Sequence, residues 1–403
     1  MTPSSHEPRG SALEVLGAFL ALGVTSFGGP VAHFGYFRRE FVEKRAWLSE
    51  HDYSGLLALC QFLPGPASSQ TGFCIGLKRA GWRGGMAAWV GFTLPSALLM
   101  LALAHWMAMF QNMTMARGAL HGLQLAAVAV VAQAVWLMAR SLCPDTPRRA
   151  LALLATAILA IFPDTGGQVL VLVIGGVIGW LALDDSSLVR HRETRRLARE
   201  WPDAQRELRL HGPALLAVAL FGLLLLAAFI VPTSGPWALA GAFYRSGALV
   251  FGGGHVVLPL LRDAVVVPGW VSPPVFLAGY GAAQAVPGPL FTVAAFLGAV
   301  SAGYKGAAIA TVAIFLPGLL IVSGALPYWQ QLRTRPHIAA VMKGLNAAVV
   351  GLLGAAFINL LTLSTVRSLW DLPIAAGALL LLTAGQARPI LVVAFCAAAG
   401  AAL

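Results

Sequence analysis

Four short stretches carry residues that disturb an otherwise apolar chain. Phe27-Gly28-Gly29-Pro30 and Gln61-Phe62-Leu63-Pro64-Gly65-Pro66 lie in the first half, and Phe251-Gly252-Gly253-Gly254 and Gln284-Ala285-Val286-Pro287-Gly288-Pro289 in the second. Glycine admits backbone angles closed to other residues, and proline removes a donor and stops the helix before it. A helix restarted after such a break presents free N–H groups and the positive end of its dipole, a setting for an anion. Ser68 and Ser69 after Pro66, and Thr292 after Pro289, stand where a hydroxyl caps the restart or donates to an oxyanion.

Bases follow the breaks. His33, Arg38 and Arg39 come after the first, His255 and Arg262 after its counterpart, and Lys78, Arg83 and Lys305 after the two Pro-Gly-Pro segments. Arg245 differs in lying within an apolar stretch, where an arginine is costly unless it faces a cavity or a partner. His105, and the pair His121 and Lys343, read as interfacial or packing residues. Acids tell the complementary story. Of 16 Asp and Glu, only Glu14 falls inside an apolar stretch, whereas Asp52, Asp164, Asp184, Asp263 and Asp371 sit at predicted ends or turns. Without paired intramembrane carboxylates, a carrier for Na⁺, H⁺ or a divalent cation is disfavoured. No phosphate loop, dinucleotide fingerprint, zinc motif or nucleophile elbow is present, so the chain is not expected to be an enzyme or to need a cofactor or metal.

These residues are positioned by a chain of 403 residues that is 58% hydrophobic and only 11% charged, against about 25% charged in a soluble domain. Apolar segments recur at about 11–31, 53–77, 85–110, 116–140, 150–163, 167–183, 212–232, 237–259, 275–302, 307–327, 338–363, 372–384 and 389–403. A bilayer core about 30 Å thick needs roughly 20 apolar residues per helix. The fold class expected is therefore all-α and polytopic, with about 11 to 13 transmembrane segments, some of them broken. The formal charge of +11 comes from arginines scattered in short loops, which record orientation and not a nucleic-acid partner. Cys60, Cys74, Cys143 and Cys396 show no metal or disulfide spacing. Met1 to Gly10 is polar and lacks an evident cleavage site, so the first helix reads as retained.

An internal repeat organises the chain. Gly17-Ala18-Phe19 and Phe27-Gly28-Gly29 recur at an offset of 224, Trp47, Gln61 and Pro64-Gly65-Pro66 at 223, and Gly76, Gly81, Gly84 and Leu94-Pro95 at 222. The expected domains are a first repeat at 11–184, a charged cytoplasmic linker with an extra helix at 185–236, and a second repeat at 237–403. Repeated halves with broken helices are the build of a secondary transporter whose site lies at the midplane. Orientation hinges on the Pro-Gly-Pro segment: if it crosses, six spans and the extra helix invert the second half, and if it re-enters, five plus one leave the halves parallel. Loop charge does not decide between these.

At the repeated Phe-Gly-Gly and Gln-x-x-Pro-Gly-Pro elements the sequence resembles the chromate ion transporter family, in its long form with two fused halves. The residues that carry the resemblance are Phe27 to Pro30 with His33, the basic run to Trp47-Leu48-Ser49-Glu50, Gln61 to Pro66 and Gly81-Trp82-Arg83-Gly84, then Phe251 to His255, Trp270 and Gln284 to Pro289. The resemblance covers nearly the whole chain. It implies inverted halves and export of chromate through the bacterial inner membrane, conferring chromate resistance, with sulfate as competitor or, alternatively, as imported substrate. Membrane lipid and a second copy of the chain are the other partners expected. The substrate residues expected are Gly28, Gly29, Pro30, His33, Arg38, Gln61, Pro64, Gly65, Pro66 and Ser68 in half one. In half two they are Arg245, Gly252, Gly253, Gly254, His255, Arg262, Gln284, Pro287, Gly288 and Pro289.

Overall fold

The computed structural model describes residues 10–110, 113–183, 211–232, 234–235, 237–251, 254–329, 336–362, 371–385 and 387–402. The linker expected at 185–210, and Gly252 and Gly253, lie outside the described residues. Secondary structure among the described residues is helical. In the first half these are α1 (Ala12–Thr25), α2 (Gly29–Phe37) with a π-turn (Arg38–Lys44), α3 (Glu50–Phe62), α4 (Ala67–Phe110), α5 (Thr114–Leu142), α6 (Thr146–Ile161) and α7 (Thr165–Ala182). The extra helix is α8 (His211–Ile230). The second half holds α9 (Ala238–Ala248), α10 (Val257–Val265), α11 (Pro273–Ala283), α12 (Val293–Ala325), α13 (Pro336–Thr362), α14 (Asp371–Thr383) and α15 (Pro389–Ala402). Among the described residues six helices are long and apolar enough to cross a membrane, and large hydrophobic side chains such as Leu215, Leu223, Trp180 and Leu153 face outward, as in a lipid-solvated bundle.

Local sequence explains the helix starts. Ser11 accepts from the Glu14 amide (3.0 Å), Ser49 from Asp52 (3.1 Å), Asp145 from Arg148 (3.0 Å) and Asp164 from Gly167 (3.0 Å), each satisfying one of the free amides of a first turn. Both broken segments of half one turn back. Phe19 of α1 stacks on Phe41 (4.7 Å between centroids) and meets Phe37 edge-on (5.6 Å), so α2 descends beside α1. The α3 arm likewise enters and returns: Lys78 pairs with Asp52 at 3.4 Å, and Arg79 pairs with Glu14 at 3.2 Å while lying over the Trp47 ring at 5.1 Å. Residues 14, 47, 52 and 79 therefore share one end of the bundle. Each arm of 13 or 14 residues rises about 20 Å at 1.5 Å per residue, enough to reach the middle of a bilayer and no further.

After the second hairpin, α4 reverses at Ala80 (φ −141°, ψ 27°) and Gly81 (φ 64°, ψ −157°), and α12 does the same at Ala302 (φ −151°, ψ 29°) and Gly303 (φ 63°, ψ −152°). The arms flanking each reversal meet through glycines: a Cβ on Gly76 would strike the Gly84 carbonyl, and one on Gly298 the Gly306 carbonyl. The long arms that follow, 82–110 and 304–325, run in opposite directions. Trp89 meets Phe315 (6.0 Å) and His105 meets Tyr304 (6.2 Å). The halves are thus inverted.

In half one the Pro-Gly-Pro segment turns back, which alone would leave the halves parallel, but the first break turns back too, and the two together keep the halves inverted. The scaffold helices then lock the halves together through small residues, Gly118 on Gly400, Gly122 on Cys396, Gly175 on Gly344 and Gly351 on Ala152.

Candidate functional site

The breaks of opposite halves are joined by a reciprocal pair of main-chain hydrogen bonds. Gly65 N donates to Val250 O (2.8 Å), and Gly288 N donates to Ser26 O (2.9 Å). Ser26 and Val250 are repeat equivalents, as are Gly65 and Gly288, so the pair obeys the inverted symmetry. Gly28 (φ 101°), Gly29 (φ 75°), Gly65 (φ 116°) and Gly288 (φ 93°) occupy the left-handed region that favours glycine. Space is as tight as the angles: a Cβ on Gly65 would lie 2.8 Å from the Gly318 Cα, and one on Gly288 2.8 Å from the Ser96 hydroxyl.

Helices α2 and α4 both restart at this centre with Gly28 and Pro66 before them, and the N-terminus of α2 has no side-chain cap. The first-turn amides that such a start leaves free favour negative charge. Buried polar atoms without a partner gather on the same elements: Ser26 Oγ, both ring nitrogens of His33, Ser69 Oγ, Gln70 Oε1, Thr93 Oγ1 and Gln284 Nε2. His33 is fully buried, adjoins the Ser26 backbone and meets Phe92 edge-on at 5.2 Å. In half two His255 Nδ1 lies 3.1 Å from the Tyr280 hydroxyl. Thr292 donates to Pro289 O (2.8 Å) and so caps its own break. Unsatisfied buried donors are costly unless a ligand engages them, and most of these groups donate.

The structure thus brings together the breaks at Gly28, Gly29, Pro64, Gly65, Pro66, Pro287, Gly288 and Pro289, with His33 beside Ser26 and α2 starting through Gly29 and Pro30; Ser68 is buried in the first turn of α4, Gly254 and His255 follow the half-two break, and Gln284 ends α11. Four expected residues are placed differently. Arg38 lies at the outer end of α2, half-exposed, paired with Glu50 (2.9 Å) and Glu43 (2.6 Å). Arg262 ends α10 at the opposite end of the bundle, as the inversion requires. Arg245 lies one turn before its break, but its guanidinium turns outward to Ala228 O (3.0 Å) and the Phe229 ring (5.8 Å) of α8. Gln61 is exposed, one residue before the end of α3. Ser26, Gln70, Thr93 and Ser96 escaped the sequence reading. A comparison of repeats marks all four, because half two carries Val250, Val293, Phe315 and Gly318 in their places.

A cavity of about 670 Å³ lies elsewhere, between α8, α9 and α12, and is lined by apolar groups such as Leu224, Val231, Ile309 and Leu316. It offers an oxyanion nothing. Hairpins from opposite ends, meeting at glycine-rich breaks between inverted halves, are the architecture of a membrane transporter.

The chain belongs to the chromate transporter family, whose model matches residues 13–180 and 237–401. It is 30% identical over 380 residues to the chromate transport protein of Pseudomonas aeruginosa, covering 91% of this chain and 85% of that one. It is 29% identical over 365 residues to the chromate transport protein of Cupriavidus metallidurans (90% and 84%), and 27% identical over 360 to a probable chromate transport protein of Synechococcus elongatus (88% and 85%). No solved structure matches the chain. The protein is a multi-pass protein of the bacterial inner membrane.

Proposed function

We propose that the chain exports chromate from the cytoplasm as a carrier and not as an enzyme, and that the converging breaks are its substrate site. The single observation that carries this reading is the reciprocal joining of Gly65 to Val250 and of Gly288 to Ser26 amid unpartnered buried donors. Orientation follows from charge. Arg38, Arg39, Lys44, Arg45, Lys78, Arg79 and Arg83 cluster at the end where the half-one hairpins are rooted, with Arg148 and Arg149 in the first turn of α6, whereas Arg117, Arg262 and Lys305 mark the other end. The positive-inside rule sets the first end in the cytoplasm.

An anion leaving a negative-inside cell gains about 2.3 kcal/mol per charge per 100 mV, hence about 4.6 kcal/mol for a dianion. Export then needs no coupled cation, in keeping with a sequence that has no paired intramembrane carboxylates. The surplus of bases at the cytoplasmic end, in which Arg38 is itself neutralised by Glu43 and Glu50, raises the local anion concentration. The test is chromate flux in proteoliposomes of known orientation at an imposed potential. Outward flux accelerated by an inside-negative potential supports export. Flux in the inward direction alone, or flux indifferent to potential, refutes it.

A further inference from the structure

Gln70 follows the Pro-Gly-Pro break of half one by four residues and is fully buried. Both of its amide hydrogens are engaged: Nε2 donates to Pro64 O (2.9 Å) and, across the halves, to Gly318 O (3.0 Å). That fixes the orientation of the amide, because the flipped form would set Oε1 against two carbonyl oxygens. Oε1 is left as a buried acceptor that no donor among the described residues reaches. It stands at the break itself: a Cβ on Gly65 would lie 3.1 Å from Gln70 Nε2 and 3.4 Å from its Cδ. Hydroxyls and imidazoles donate or accept as required, but an amide oxygen only accepts. A fully deprotonated oxyanion has nothing to give it; a protonated one has its O–H.

Charge supplies a second, independent argument. The break residues include no Lys or Arg, Arg245 turns to α8, and Arg38 is held by Glu50 and Glu43. The cost of burying a charge grows as its square, so a dianion is about four times as expensive as a monoanion in such surroundings. We propose that the site takes its tetrahedral oxyanion in the singly protonated, singly charged form, with Gln70 Oε1 accepting the O–H of the substrate. The proposal rests on the reading of the chain as an oxyanion carrier and narrows it. Chromate takes up a proton near neutral pH, whereas sulfate does so only in strong acid. Protonation, and not shape, then separates chromate from sulfate and makes sulfate a weak competitor.

The test uses the full chain in proteoliposomes with pH equal on both sides and the potential clamped. With total chromate held low, initial flux should fall about tenfold per pH unit once the protonated form is the minority, one charge should move per chromium, and sulfate flux should be at least about tenfold lower. His33 on α2, the Cys60 and Cys74 thiols of the α3–α4 hairpin, and His255 with Tyr280 in half two are the titratable groups around the breaks. Their own titration is read from a pH series at saturating chromate, where the supply of the protonated form no longer limits flux. Gln70→Met, which keeps the length and removes the acceptor, should lower the chromate-to-sulfate flux ratio about tenfold whatever its effect on total flux. Chromate flux independent of pH, with two charges per chromium, overturns the proposal while leaving the carrier reading intact. Absence of chromate flux at every pH overturns both.

Discussion

Substituting Gly65 by alanine probes the meeting of the two halves directly. Gly65 has φ 116°, and moving a residue with a Cβ into the left-handed region costs about 1–2 kcal/mol. The new methyl would stand 2.8 Å from the Gly318 Cα, a main-chain atom of the other half that cannot swing aside. Relief of that contact parts the breaks and weakens the 2.8 Å bond from Gly65 N to Val250 O, which is worth about 1 kcal/mol. The joined arrangement should lose about 3 kcal/mol in all, about a hundredfold in population. Gly81→Ala is the matched control, since Gly81 also has positive φ (64°) but nothing within 4 Å of an added Cβ. Chromate flux from loaded proteoliposomes, normalised to folded protein by size-exclusion chromatography, should fall at least about tenfold for Gly65→Ala and stay within about twofold of the parent for Gly81→Ala. Equal flux from both variants would refute the claim that the breaks are the conducting centre.

Other consequences are open to simpler measurements. Gly76→Val or Gly298→Val should prevent accumulation of folded protein in membranes, because each sets a branched side chain into main-chain contact across its hairpin. The partly exposed Glu14–Arg79 and Asp52–Lys78 pairs should each contribute about 0–1 kcal/mol, so Arg79→Met should lower the melting temperature only slightly, and less in high salt. Asp145 caps α6 outside the membrane, and its bond to Arg148 holds its carboxyl below the usual range. A depressed carboxyl stabilises the fold at pH above its unfolded value and ceases to do so as the pH falls through its folded value. Asp145→Ala should therefore cost about 0.5–2 kcal/mol at neutral pH, and the difference should close in acid.

Much of the architecture was legible in the sequence for a physical reason. Inverted halves must solve the same backbone problem twice, so Gly81 and Gly303, or Gly65 and Gly288, recur at a nearly constant offset. The re-entry of α1 and α2 was not legible, because Phe27 to Pro30 is followed by a stretch as readily read as a loop as a returning helix. Side-chain direction was hidden for the same cause. Arg245 sits at the right depth, yet only the packing of α8 shows that its guanidinium leaves the centre. Gln70 shows in the sequence only as a departure from the repeat, with Val293 in its place, and its role emerges when Gly318 arrives 248 positions later to accept its hydrogen bond.

Anomalous diffraction from crystals of the intact protein loaded with chromate locates the substrate without appeal to any variant. A chromium peak between the joined breaks, with its oxygens in hydrogen-bonding reach of Gln70 and of the Gly65 main chain, is the predicted result. A peak at the Arg38 mouth or in the apolar space beside α8, with the breaks empty, would contradict the account.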